Sequence, residues 1–151
     1  MSRICAGECE NMDMEWYGVD RQGNIAVFCS GGVGNLPEFV CENDERACEL
    51  IDYFENFEKM TSSVLMFPQS RGAEQCARDF SDKGLYYFDA DDGTRPGICT
   101  FHEYYTKQSY PQSPLKYERL PEHFREILKH NFMEIEDFSL VNIIRVKHAY
   151  E

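Results

Sequence analysis

The chain is 151 residues long, 42% apolar and 14% aromatic, with a formal net charge of −12. That length suits one domain burying about two-thirds of its unfolded surface, and 11 Phe with 9 Tyr exclude a chain too apolar-poor to form a core. The acidity excludes nucleic acid and anionic membrane as partners, because neutralising phosphates takes clustered Lys and Arg.

The first 13 residues are acidic and carry Cys5 and Cys9, with no apolar signal core. No later stretch approaches the ~20 apolar residues of a membrane span. A cytoplasmic location is therefore expected. Seven cysteines (Cys5, Cys9, Cys29, Cys41, Cys48, Cys76, Cys99) are an odd number in such a compartment, which points to reduced thiols and no disulfide framework.

Met14 to Asp20 reads as a strand around Trp16–Tyr17, Arg21-Gln22-Gly23-Asn24 as a turn, and Ile25 to Cys29 as a second strand, so a β-hairpin opens the fold. Gly31, Gly32 and Gly34 follow. A phosphate loop needs Lys-Ser/Thr after its last glycine, and a dinucleotide fingerprint needs G-x-G-x-x-G opening a helix. Here Pro37 stands where the third glycine belongs, and no basic residue lies between Asn24 and Glu45 to face a phosphate. The glycines are expected only to turn the chain through positive φ.

Asn43 caps a helix over residues 44–58, with Asp44 and Glu45 in its first turn and Ala47, Leu50, Ile51, Phe54 and Phe57 on its apolar stripe. Ser70 caps a second over 71–83, striped by Ala73, Cys76, Ala77 and Phe80 and ended by Gly84. Leu85 to Phe88 is a strand, Asp89 to Gly93 a turn and Ile98 to Tyr105 a return strand. A third helix is predicted near 121–130 with Pro121 at its first position, and Val141, Ile143, Ile144 and Val146 suggest a final strand. The predicted fold class is α+β: a single domain, a mostly antiparallel sheet and about three helices packed on it, residues 1–13 apart as a flexible segment.

No constellation nominates a reaction. Asp89-Ala90-Asp91-Asp92-Gly93 has its glycine one position early for a calcium loop, and Asp-Gly between aromatic strands favours a hairpin turn. Cys5-x3-Cys9, Cys41-x6-Cys48 and Cys99-x2-His102 lack structural-zinc spacing, and several cysteines, Cys48 excepted, occupy apolar positions on predicted strands or stripes, where thiols act as small hydrophobes. His123 and His130 share a helix with Glu122 and Glu126, the pattern of a solvated face. Neither catalysis, cofactor nor metal is therefore expected.

The run W-Y-G-V-D-R-Q-G-N-I-A-V-F-C-S-G-G-V-G-N-L-P, with the later G-L-Y-Y-F-D-A-D-D-G and P-L-K-Y-E-R-L-P-E-H-F-R-E-I-L, resembles small bacterial proteins similar to the immunity proteins of toxin systems. The similarity spans most of residues 14–130; the cysteine-rich start and the strand-like tail depart from it. It implies a non-enzymatic inhibitor that neutralises a toxin by direct contact. An acidic inhibitor gains on-rate against a basic partner, and the candidate contacts are Asp44, Glu45, Glu49 and Asp52 on the first helix with Asp91 and Asp92 in the hairpin turn. The alternative is an enzyme or small-ligand domain with a pocket lined by Trp16, Tyr17, Tyr86, Tyr87 and His102. A broad acidic face or a deep cleft with converging polar groups distinguishes the two.

Overall fold

The structure, a computed structural model, describes residues 2–9, 12–90 and 103–151. Two strands, β1 (Glu15–Val19) and β2 (Ile25–Cys29), form the expected antiparallel hairpin. Its turn is set by Asp20, whose Oδ1 accepts from the Gln22 and Asn24 amides at 2.9 Å each, with Gly23 at φ 82°. Asp20 is fully buried, and its Oδ2 accepts from the Phe138 amide at 2.7 Å, so the same carboxylate ties the hairpin to the C-terminal part of the chain.

The remaining strands are β3 (Ser63–Leu65), β4 (Tyr86–Ala90), β5 (Tyr104–Pro111) and β6 (Ile143–Arg145). All six join one sheet in the order β1-β2-β4-β5-β3, with β6 also on β5. Four pairings are antiparallel. The fifth, β2 with β4, is parallel, because the chain crosses over through three helices and β3 before returning. The sheet is thus mixed, and β3 is a strand the sequence did not announce. The described return strand runs from Tyr104 to Pro111, the expected start at Ile98 lying outside the described residues, and Asp89 lies within β4 opposite Thr106, not in a turn. The expected turn residues Asp91 to Gly93, the candidate contacts Asp91 and Asp92 among them, lie outside the described residues, as do Cys99 and His102.

Among the described residues five α-helices accompany the sheet: α1 (Ala6–Cys9), α2 (Glu38–Cys41), α3 (Asp44–Glu55), α4 (Arg71–Ser81) and α5 (Glu122–Leu128). The three longest are the three expected. Asn43 accepts from the Arg46 amide and Ser70 from that of Ala73, as N-caps do. Pro121 is the residue before α5 and not its first turn. In α4 the stripe differs from the spacing: Ala77 and Ser81 are buried, whereas Ala73 and Cys76 face solvent.

Strand alternation divides the core in two. Tyr17, Val19, Ile25, Val27, Leu85 and Tyr87 face α3, α4 and α5, where they meet Leu50, Phe54, Ala77, Ile127 and Leu128. Trp16, Phe28, Tyr86, Phe88 and Tyr105 face the other side, which is closed by Ile4, Leu36, Val40, Phe138 and Val146. There Trp16 stacks on Phe28 (centroids 4.1 Å apart, 8° between planes) and Phe28 on Phe88 (5.1 Å, 13°), pairs worth ~0.5–1.5 kcal/mol each beyond buried area. Residues 2–9 are not apart from this body. Ile4 is buried, its amide donates to the Cys41 carbonyl, and the Cys9 and Cys41 sulfurs lie 3.6 Å apart.

Candidate functional site

The glycine loop forms no anion cradle. Gly31 and Gly32 take positive φ (58° and 80°) and turn the chain as expected, while the amides of Val33 and Gly34 are already bonded to the Ser30 carbonyl. Gly34 serves a different need: a Cβ there would meet Ala90 Cβ and Tyr105 Cζ at 2.8 Å. The loop is pressed onto β4 and β5, and the Tyr105 hydroxyl, which accepts from Trp16 Nε1, donates to the Asn35 carbonyl.

The aromatics proposed for a pocket do not converge. Trp16 and Tyr86 lie on one side of the sheet, Tyr17 and Tyr87 on the other, each 6% exposed or less. Three thiols are poor nucleophiles: burial raises Cys29 and, where its side chain lines a cleft although the residue as a whole is exposed, Cys76, and burial followed by the neighbouring Cys9 pushes Cys41 up to about 12. The six described cysteines are free, with Cys5, Cys48 and Cys76 exposed. Among the described residues, no three His, Cys, Asp or Glu side chains are grouped to hold a metal ion, and no helix is long and apolar enough to cross a membrane.

What the helical side does present is an open groove of about 780 Å³ along the C-terminal half of α3, bounded by residues 56–60 and the start of α5. Its floor is aromatic. Tyr53 stacks on Phe124 with centroids 3.8 Å apart and 24° between planes, and Phe57 lies 5.6 Å from Tyr53. Its rim is acidic, with Glu49, Asp52 and Glu58, and Met60 is 42% exposed beside it. Glu49 Oε1 is 3.1 Å from His123 Nε2, a contact between two exposed side chains that pins α5 against α3. Lys59 also borders the groove, but its ammonium is directed to Asp79 (3.5 Å) and Asp82 (3.9 Å). Among the described residues the Asp52 and Glu58 carboxylates have no cationic partner. Burial raises the Tyr53 phenol, which therefore stays neutral across the physiological range.

On the other flank of α3, a cleft of about 320 Å³ is lined by Glu15, Glu55, Cys76, Asp79 and Lys83. Lys83 Nζ donates to the Phe54 and Glu55 carbonyls (2.7 and 3.2 Å), so a cation from beyond α4 meets the negative end of the α3 dipole. Burial, opposed by a hydrogen bond from Tyr17, raises the Glu15 carboxyl.

Of the four acids predicted on α3, the structure brings two to the groove and leaves two at the helix start. Glu49 and Asp52 line it. Glu45 is exposed in the first turn, and Asp44 is half-buried with Oδ1 shielded from solvent and without a hydrogen bond. Sequence reasoning missed Tyr53 and Glu58, and placed Phe57 and Phe124 only on core stripes. The available signal was Tyr53 beside that stripe, which makes the apolar arc of α3 wider than one packed face requires.

No family model matches the chain, and neither a curated protein nor a solved structure matches it.

Proposed function

We propose that this chain is a non-enzymatic binding protein of the immunity type, neutralising a bacterial toxin by docking its acidic helical side on a basic surface of that toxin. The observation carrying this reading is the groove beside α3, where a half-buried aromatic floor meets the carboxylates of Asp52 and Glu58, which have no cationic partner among the described residues. Aromatic anchors inside a charged rim are the usual make-up of a protein-binding hot spot, and the net charge of −12 supplies the long-range attraction. The resemblance in the opening hairpin supports the choice of a toxin as the partner.

The test reads the genes flanking the one for this chain for a toxin domain and co-expresses that domain with the chain; flanking genes without a toxin domain overturn the reading. Growth is expected to be protected by the wild type and lost with Glu49→Lys/Asp52→Lys, at an unchanged thermal melt. Protection that survives the double reversal, or a toxin that the wild type leaves active, overturns the reading.

A further inference from the structure

We propose that the groove receives an arginine side chain from the basic partner, its guanidinium lying on the exposed part of the Tyr53–Phe124 stack and bonded to the carboxylates of Asp52 and Glu58. This rests on the reading of the acidic side as a protein-docking surface and specifies the chemistry of the anchor.

Three features of the groove select that occupant. The floor offers π faces, to which a cation is attracted, and a guanidinium can also stack on them as a plane. The rim offers the carboxylates of Glu49, Asp52 and Glu58. A guanidinium presents five donors in a rigid fork and can bond two carboxylates while stacked, whereas an ammonium is a compact, strongly hydrated point charge. Finally, the groups that would bond it are unoccupied: among the described residues, Asp52, Glu58 and the Tyr53 hydroxyl form no side-chain hydrogen bond or ion pair, and the neighbouring cation Lys59 is held by Asp79 and Asp82. A volume of about 780 Å³ exceeds one side chain, so the flanking residues of the partner segment cover Phe57 and Met60.

The experiment is a titration of the isotope-labelled full chain, followed by amide chemical shifts, with acetyl-Gly-Arg-Gly-amide and its lysine and citrulline counterparts at one ionic strength. Citrulline keeps the planar shape and removes the charge. Arginine is expected to bind at least fivefold more tightly than citrulline and threefold more tightly than lysine, with shifts confined to residues 49–60 and 122–125. Asp52→Asn/Glu58→Gln should lose most of that binding. Phe124→Leu, which keeps apolar volume and removes the ring, should abolish the preference for arginine over lysine. Shifts elsewhere on the surface, equal binding of the three peptides, or no binding overturns the proposal. The protection experiment separates the two levels. Protection that depends on Glu49 and Asp52 without arginine preference leaves the docking surface and removes the anchor; arginine binding without protection leaves the anchor and removes the toxin partner.

Discussion

At the start of α3, Asp44 and Glu45 sit behind the Asn43 cap at the positive end of the helix dipole; in the last turn, Asp52 and Glu55 sit at its negative end. The first pair is favoured there by roughly 0.3–1 kcal/mol per charge, and the second is disfavoured by a similar amount. The last turn holds no basic residue of its own, and the cation it receives, Lys83, bonds backbone carbonyls and not the groove acids. Acids that help build a helix and acids held against its dipole look alike in a composition count. The second kind gains nothing from the helix dipole, and one of the two, Asp52, borders the aromatic groove while Glu55 lines the cleft on the other flank.

That contrast can be broken most forcefully through Phe54, which is 1% exposed and stacked on Tyr17 at 4.6 Å. Phe54→Ala should destabilise the protein by about 3–5 kcal/mol, read by denaturant unfolding. A loss below about 1 kcal/mol would mean that α3 is not anchored through this ring.

The binding half of the contrast comes next. Glu49→Gln/Asp52→Asn should slow association with the basic partner about tenfold, equivalent to about 1.4 kcal/mol, and flatten its salt dependence. Asp44→Asn/Glu45→Gln should change the rate less than twofold. Stopped-flow mixing across a salt series checks both, and the reverse ranking would move the contact surface to the helix start.

Asn43→Ala should cost about 1 kcal/mol through loss of the cap on the Arg46 amide, seen as a lower midpoint in thermal melts with peptide binding unchanged. A weaker effect is expected at Glu15, because this carboxyl is only partly buried and solvent screens it. Burial, with Glu55 nearby, holds its folded pKa above the unfolded value. The stabilising share is then full below the ordinary carboxyl pKa and lost as pH rises through the raised value. Glu15→Gln should therefore raise the melting temperature at neutral pH, with the gain vanishing in acid. A gain that is constant with pH would show that ionisation at this site is immaterial.

Local signals were the legible ones. Ile25–Cys29 is a strand with the bounds its apolar run suggests, and the Asn43 and Ser70 caps act where their side-chain chemistry places them. Glu49 and Asp52 were legible as exposed acids for the same reason, since helical spacing alone puts them off the apolar stripe. What depended on distant pairing was not. The three residues of β3 have no periodicity to read and become a strand only against Ser109, Tyr110 and Pro111. The parallel match of β2 to β4 leaves no local trace. Tyr53 and Phe124 make a floor only because tertiary packing stacks two residues from separate helices, and Gly34 is required by Tyr105 and Ala90, not by its own backbone angles.

The parallel ladder also sets a timetable for folding. The β1–β2 hairpin joins neighbours in sequence and can close within about 1–10 μs. Ala26, however, is matched to Tyr86 across the whole of α3, β3 and α4, so the centre of the sheet forms only after a long loop has been closed against its entropy. Pairings of that range are rate-limiting in small domains, and until this one is made β2 has one unpaired, apolar edge open to a second chain. Tyr53 and Phe124 also lie far apart in sequence, so the groove depends on a second long-range contact, between α3 and α5. A newly made chain therefore lacks the groove until segments from its two halves have met.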